Sequence, residues 1–456
     1  MSTAKQPEAD LEIAIIGAGV VGLALAIGLS HRNIKVKVYE QSHDFNGFGG
    51  GIGFSPNAVR CMNLLQPQLV EAQRKTATPS GDPKNPMDWM VYLDGYSHDA
   101  TDSSIEEPEL FRLYTGHRGF EGCVRAQFRD EMLKILPEGA LELGKRVDQI
   151  EDHEDGDKVR LHFRDGTIAE ADAVIGCDGI RSRTRAFLLG QDHPAVLPSY
   201  THLYALRGLI PMERAIQALG QYKAQNRHIH LGPNAYVITI PVAQGSMLNC
   251  VAFVSDPNDW PATAKLTAPA TPTEATESFA DFGPAVRGII DAVAHNSPTL
   301  DKWAIFDSHA HPAPTYARGR VCIAGDAAHA AAPHHGAGAG CGMEDGLALA
   351  SLLAQVGNGP NKAAALRAAL ASYSSVRLER THWLVESSRF LGDMLVWKNP
   401  STGRDFEKCS RELYTRSHKI WDFDERGMLR ELEEEYQRRL NGDGPVLQTL
   451  PEGVPV

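Results

Sequence analysis

The segment Gly17-Ala18-Gly19-Val20-Val21-Gly22 constrains this chain more than any other. It follows the apolar run Leu11–Ile16, which reads as a short strand, and opens the apolar stretch Val20–Ser30, which reads as a helix. A second strand follows over Ile34–Tyr39, where Ile34, Val36 and Val38 alternate with Lys35 and Lys37. Together these make a βαβ unit in which each glycine has a task. Gly17 permits the tight turn, Gly19 lets backbone approach a pyrophosphate, and Gly22 lets helix and strand pack closely. The helix N-terminus offers N–H donors, and Glu40, ending the second strand, can accept from the hydroxyls of an adenosine ribose. The unit predicts a dinucleotide site, and the Glu40 carboxylate favours FAD or NAD there over NADP.

Two later segments choose between those dinucleotides. Asp172–Gly176 reads as a strand leading into Cys177-Asp178-Gly179-Ile180-Arg181-Ser182. Arg320–Ala324 leads into Gly325-Asp326-Ala327-Ala328-His329, followed by Pro333-His334-His335-Gly336-Ala337-Gly338-Ala339-Gly340 and a helix from about Met343. An acid at a strand end can accept the hydroxyls of a ribityl chain. A glycine run opening a helix can bring N–H donors against the edge of a flavin where negative charge appears on reduction. The three segments in this order point to a flavin.

Composition excludes several alternatives. With 456 residues, two packed units are expected, and 43% apolar with 22% charged residues is an ordinary globular balance. Net charge is −12 and no long basic block occurs, which argues against a nucleic-acid or anionic-membrane surface. Seven scattered cysteines without a CxxC read as reduced thiols rather than a disulfide frame or a zinc site. Ile13–Leu29 is short for a membrane span and follows Glu12 rather than a basic region, so a soluble, cytoplasmic monomer or homodimer is the expectation.

The three segments resemble those of the single-component FAD-dependent aromatic monooxygenases, the p-hydroxybenzoate and salicylate hydroxylase family. The resemblance runs from about Ile13 to Arg389. It implies FAD phosphates at Gly17–Gly22, adenosine ribose at Glu40, the ribityl chain at Asp326, and flavin-facing backbone at Gly338 and Ala339. Asp178-Gly179 is implied to serve both FAD and NADPH (or NADH), and Arg125, in Gly122-Cys123-Val124-Arg125, matches a family arginine near the FAD. Ala337 departs from the family, where many members have Gln. Pro56–Met62, Arg207–Ile210, Ala252–Pro257 and Ser417–Trp421 are further similar to the polyketide-pathway hydroxylases of methylorcinaldehyde- and sorbicillin-type phenols. In those relatives an arginine matching Arg207 steadies the substrate phenolate, attack at a substituted ring carbon gives a dearomatised dienone, and a tyrosine often anchors the second oxygen. Ile240 stands at that last position here.

The residues give their own reading of the pocket. Arg207 lies on the strand His202–Leu209 among Leu203, Ala205 and Leu209, where a cation needs either a phenolate or a structural carboxylate. Tyr236, Ile238 and Ile240 share a strand face, so Tyr236 either hydrogen-bonds substrate or packs in the core. Phe120 is a candidate pocket wall. His334 and His335 follow Pro333 beside the expected flavin ring, either touching flavin or substrate or packing the loop. His329 reads as a structural turn residue, and His228, His230 and Asp326 are not taken as a metal set.

The expected fold is α/β: a Rossmann-like FAD-binding domain over residues 1–80, 110–195 and 315–395, a β-rich substrate domain over 196–314, and a helical C-terminal region over 396–456 with a charged helix at Asp422–Leu440. Residues 75–108 read as a polar excursion and Asp256–Thr276 as a surface loop. The expected reaction is NADPH- and O2-dependent hydroxylation of a small phenolic, resorcinol-type substrate in secondary metabolism, through a flavin C4a-hydroperoxide. Decarboxylative hydroxylation of salicylate, a flavin-dependent reductase without oxygen insertion, and a non-catalytic FAD-fold escort protein are the alternatives.

Overall fold

The computed structural model describes residues 11–45, 50–78, 82, 84–99, 101, 103–116, 122–153, 156–261, 265–296, 300–357, 359 and 361–442. The βαβ unit forms as its pattern requires, with strand Glu12–Ile16, helix Val20–Ser30 and strand Lys35–Tyr39. Glu12–Ile16 is central in a six-stranded sheet, between Lys35–Tyr39 and Ala173–Gly176, with both pairings parallel. Val321–Ile323 adds beyond Ala173–Gly176, so both acid-bearing turns leave the same end of this sheet. That is where ligands bind in open parallel sheets. Helices cover the sheet, and Ile13, Ile15, Leu23, Leu25 and Leu347 are fully buried between them.

A second sheet has eight strands in the order Thr267–Ala270, Leu300–Asp307, Ser199–Pro211, Met247–Ser255, Ala235–Val242, His228–Gly232, Asp88–Asp94 and Glu109–Tyr114. Its pairings are antiparallel except for His228–Gly232 against Asp88–Asp94. Both faces are buried. Leu206, Ile210, Val237, Cys250 and Ala252 face helices Met212–Leu219 and Pro284–Asn296. Ala205, Tyr236, Phe253 and Ile229 face the other way, with the C-terminal helices Lys362–Leu395 and Phe406–Trp421.

Five sequence expectations are corrected. The polar excursion at 75–108 holds the strand Asp88–Asp94, whose core is buried on both faces and therefore reads as a continuous apolar run rather than an alternation. Residues 109–114, counted with the nucleotide-binding part, pair with that strand in the eight-stranded sheet. The loop at 256–276 contains strand Thr267–Ala270 and the start of helix Pro272–Glu277, which Thr271 and Glu274 cap reciprocally. The helix placed at Met343 begins at Gly338, because a side chain on Gly342 would strike Val21 of the first helix. Packing overrides the poor helix propensity of glycine there. The charged tail helix runs Glu425–Leu440, burying Met428, Leu432 and Tyr436 while Leu440 is exposed. Arg438 pairs with Glu435, as does Arg439 at 2.7 Å. No helix among the described residues is long and apolar enough to cross a membrane.

Candidate active site

A cavity of about 930 Å³ lies between the end of the parallel sheet and the inner face of the eight-stranded sheet. Gly17, Gly19, Glu40, Arg125, Asp178, Asp326, Gly338, Ala339, Arg207 and Ile240 all line it. Residues separated by more than 300 positions thus meet in one space.

The dinucleotide end is built from backbone. Gly17 has φ +101°, and a Cβ there would strike the carbonyl of Cys177. Gly22 does not reach the cavity. A Cβ on it would strike the carbonyl of Gly17, so it serves the close helix–turn packing its spacing implied. Glu40 accepts from the backbone N–H of Ala18 at 2.9 Å and of Ser42 at 2.8 Å, which fixes its carboxylate against the turn. Arg125 opens helix Arg125–Leu133, and its guanidinium comes within 4.0 Å of where a Cβ on Gly19 would stand. It makes no hydrogen bond or ion pair to the described residues, as suits a cation kept for a phosphate.

The two acids differ. Asp178 is saturated: its carboxylate accepts from Ser182 Oγ at 2.6 Å, Arg183 N at 2.9 Å, and Thr184 N and Oγ1 at 3.1 Å. It therefore holds the loop and the start of helix Arg183–Leu189, leaving the backbone at 178–179 to face the cavity. Asp326 is exposed to the cavity and accepts no hydrogen bond from the described residues, so both oxygens are available to ligand hydroxyls. Gly338 and Ala339, at the first turn of the 16-residue helix Gly338–Leu353, present N–H groups without intrahelical acceptors. A buried network that the sequence gave no sign of binds these parts together. Asp345 accepts from Gly325 N at 2.9 Å, His329 Nε2 at 2.6 Å and Arg377 Nε at 2.9 Å. Neighbouring Glu344 accepts from Asn57 Nδ2 and from Arg380, each at 2.7 Å. His329 and Arg377 hold the Asp345 carboxyl well below its usual range despite burial. A polar backbone rim, a free cation, a free carboxylate and a helix N-terminus in one cleft suit the phosphates, ribityl chain and ring edge of FAD.

The other end is apolar, with two polar groups. Arg207 stands opposite Val251, which is opposite Ile238; Asn249 stands opposite Leu209 on one side and Ile240 on the other. Paired residues share a face, and Arg207, Ile238, Ile240, Asn249, Val251 and Phe253 line the cavity. Arg207 has no carboxylate partner among the described residues. Its guanidinium lies 5.1 Å from the ring centroid of Trp303. Protein around the cavity, and then the like charge of Arg125, lower its pKa. Asn249, Val251 and Phe253 went unnoticed in the sequence, although their period of two on the strand Met247–Ser255 carried the signal.

Three pocket expectations are corrected. Tyr236 is fully buried and does not line the cavity: it stacks on Phe253 with centroids 4.7 Å apart and bonds His334 Nδ1 at 2.6 Å. His334 and His335 lie behind Pro333 and Gly336, which do line it, because the short helix Pro333–His335 turns both rings inward. His335 Nε2 bonds Ser387 Oγ at 2.9 Å. Phe120 lies outside the described residues. His230 bonds Glu107 at 2.8 Å, and the described residues hold no group of three His, Cys, Asp or Glu arranged for a metal ion.

The sequence matches the family described as FAD binding domain over residues 10–195 and 227–388. It is 52% identical over 438 residues to the FAD-dependent monooxygenase pigN of Monascus ruber, covering 95% of this chain and 98% of that protein. It is 43% identical to the salicylate hydroxylase asL1 of Sarocladium schorii, covering 96% and 93%. A solved salicylate hydroxylase substrate complex superimposes with a TM-score of 0.80 at 32% identity, covering 93% of this chain and 98% of that one. With the cavity's FAD-suited rim and relatives spanning nearly its whole length, the chain belongs to the FAD binding domain family, among the FAD-dependent monooxygenases related to salicylate hydroxylase.

Proposed function

We propose that the protein hydroxylates a small phenol, using FAD, NADPH and O2, with Arg207 as the group that receives the phenolate. One observation carries this reading: Arg207 projects into an apolar cavity wall with no carboxylate among the described residues to neutralise it. A cation so placed favours the ionised form of a bound phenol, and an ionised phenol is the electron-rich ring that accepts oxygen. Bound FAD would supply the redox chemistry, taking reducing equivalents from NADPH and passing one oxygen atom of O2 to the ring. The chain's own residues bind and orient. Gly17, Gly19 and Arg125 would hold the phosphates, Glu40 the adenosine ribose, Asp326 the ribityl hydroxyls, and the N–H groups at Gly338 and Ala339 the ring edge. Ile238, Ile240, Val251 and Phe253 exclude water from the reacting ring. Dearomatisation belongs to this reading as one outcome of attack at a substituted carbon.

A second reading, decarboxylative hydroxylation of a salicylate, is supported by the likeness to a salicylate hydroxylase substrate complex and to the salicylate hydroxylase asL1, with Arg207 then receiving an acidic group of the salicylate. Release of CO2 separates the two. The test of Arg207 is direct. Arg207→Ala should retain FAD while losing most phenol-dependent product formation, on the order of a hundredfold in kcat/KM, as for a lost charged contact. Unchanged turnover would remove Arg207 from its role.

A further inference from the structure

Asn249 shares the cavity face with Arg207, and nothing in the fold requires an amide there. Its side chain makes no hydrogen bond to any described residue. The nearest built approach is Gly51, where a Cβ would stand 3.4 Å from Nδ2. Its cross-strand partners, Leu209 and Ile240, are apolar. A valine or leucine would complete that wall at no cost. An amide there has its donors and acceptor idle, and a bound ring that displaces water leaves them unpaired unless the ring itself brings a partner.

The register says what that partner is. Val251 faces Arg207 across the ladder, and Asn249 is two residues before Val251, so Arg207 and Asn249 are diagonal neighbours. The Arg207 guanidinium comes within 3.3 Å of where a Cβ on Gly50 would stand, and Asn249 Nδ2 within 3.4 Å of where one on Gly51 would stand, so the two polar tips are separate points on one stretch of the cavity wall. Two such points are met by a ring carrying two oxygen substituents rather than one. Arg207 offers charge and suits the phenolate; Asn249 is neutral and its N–H donors suit a carbonyl oxygen.

Resting on the phenol reading above, we propose that Asn249 is the second polar contact to the substrate, donating its amide N–H to an acyl oxygen on the ring. Asn249 thereby makes the site selective for acyl phenols over the same phenols bearing only alkyl groups.

The probes are 2,4-dihydroxybenzaldehyde and 4-methylresorcinol, which differ at one substituent, and affinity is read from the change in flavin absorbance of the FAD-loaded, full-length protein. The aldehyde is the more acidic phenol, and this contributes to wild type and variant alike, so the change in preference is the readout. In Asn249→Leu the aldehyde should weaken by about tenfold, one lost hydrogen bond's worth, with 4-methylresorcinol and FAD affinity changed less than about twofold. Asn249→Val also removes the amide, with a β-branched side chain suited to a strand, and should cause the same loss; it decides the matter if the leucine variant does not fold. A preference unchanged from wild type in these variants overturns the assignment, as does a variant that loses FAD instead. Wild type binding both phenols without preference overturns Asn249's role alone, whereas wild type binding neither overturns the phenol reading with it.

Discussion

The hydroxyl of Tyr236 stands 2.6 Å from Nδ1 of His334, and this bond ties the inner face of the eight-stranded sheet to the loop that precedes the helix at Gly338. Burial, and then the charge of Arg389, push the His334 imidazole down to about 3, so it is neutral near pH 7 and can accept the tyrosine proton at Nδ1. Its other nitrogen is buried without a partner beside Gly392. Tyr236 also stacks on Phe253, which lines the cavity. The pair thus acts from behind the wall, setting the distance between the substrate side and the cofactor side.

Tyr236→Phe keeps the stacking and leaves both His334 nitrogens unpaired. We expect a loss of about 1–3 kcal/mol of stability, read by urea denaturation at fixed FAD concentration. An unchanged midpoint would mean that the bond is not formed in solution.

Asp345 gathers the N–H of Gly325, His329 and Arg377 in a buried place. Asp345→Asn removes the charge that compensates the buried Arg377 guanidinium and weakens the bonds from His329 and Gly325, with an expected cost of about 3–5 kcal/mol. Because the Gly325-Asp326 turn hangs on this carboxylate, FAD affinity should fall as well. Full FAD affinity in the variant would show that the turn holds its shape unaided.

Acid should weaken the fold before the carboxylates titrate. Burial pushes His228, His334 and His335 each down to about 3, against an ordinary value of about 6.5 when unfolded. Between those values the unfolded chain binds protons that the native one does not, so stability is complete above about pH 6.5 and is lost as pH falls towards 3. The slope should approach about 1.4 kcal/mol per pH unit for each histidine. Denaturation at pH 7, 6 and 5 measures it, and a flat profile would contradict neutral burial of all three.

Trp303 is 41% exposed, yet it carries the Arg207 guanidinium 5.1 Å from its ring centroid. Cation–π contacts of this kind contribute about 0.5–2 kcal/mol. Trp303→Leu should therefore raise the KM for a phenol roughly twofold to thirtyfold while FAD affinity is kept. A fall in kcat with KM unchanged would assign the ring a different part.

What the sequence made legible follows from where chain-local rules hold. The glycine turn at Gly17–Gly22 and the acids Glu40 and Asp326 were readable because short-range geometry dictates them, and Gly17, Gly19, Glu40 and Asp326 line the cavity. Tyr236 and His334 were misread because a period of two identifies a face but not which part of that face opens on the cavity. Their mutual bond spans 98 residues. The strand Asp88–Asp94 was hidden by its polar surroundings and its two buried faces. Asp345, Glu344 and Arg377 carried no sequence signal, because only the packing of Gly338–Leu353 against Lys362–Leu395 turns them inward.

The central claim is oxygen transfer to a phenol, and product mass tests it most directly. FAD-loaded protein, NADPH and ¹⁸O2 would be offered resorcinol aldehydes, resorcinol ketones and salicylates in parallel. The account predicts NADPH consumption matched by a product that has gained one labelled oxygen from a resorcinol aldehyde or ketone. Labelled product accompanied by CO2 from salicylate alone would move the enzyme to the decarboxylating reaction. NADPH consumption without labelled product from any phenol would contradict the account.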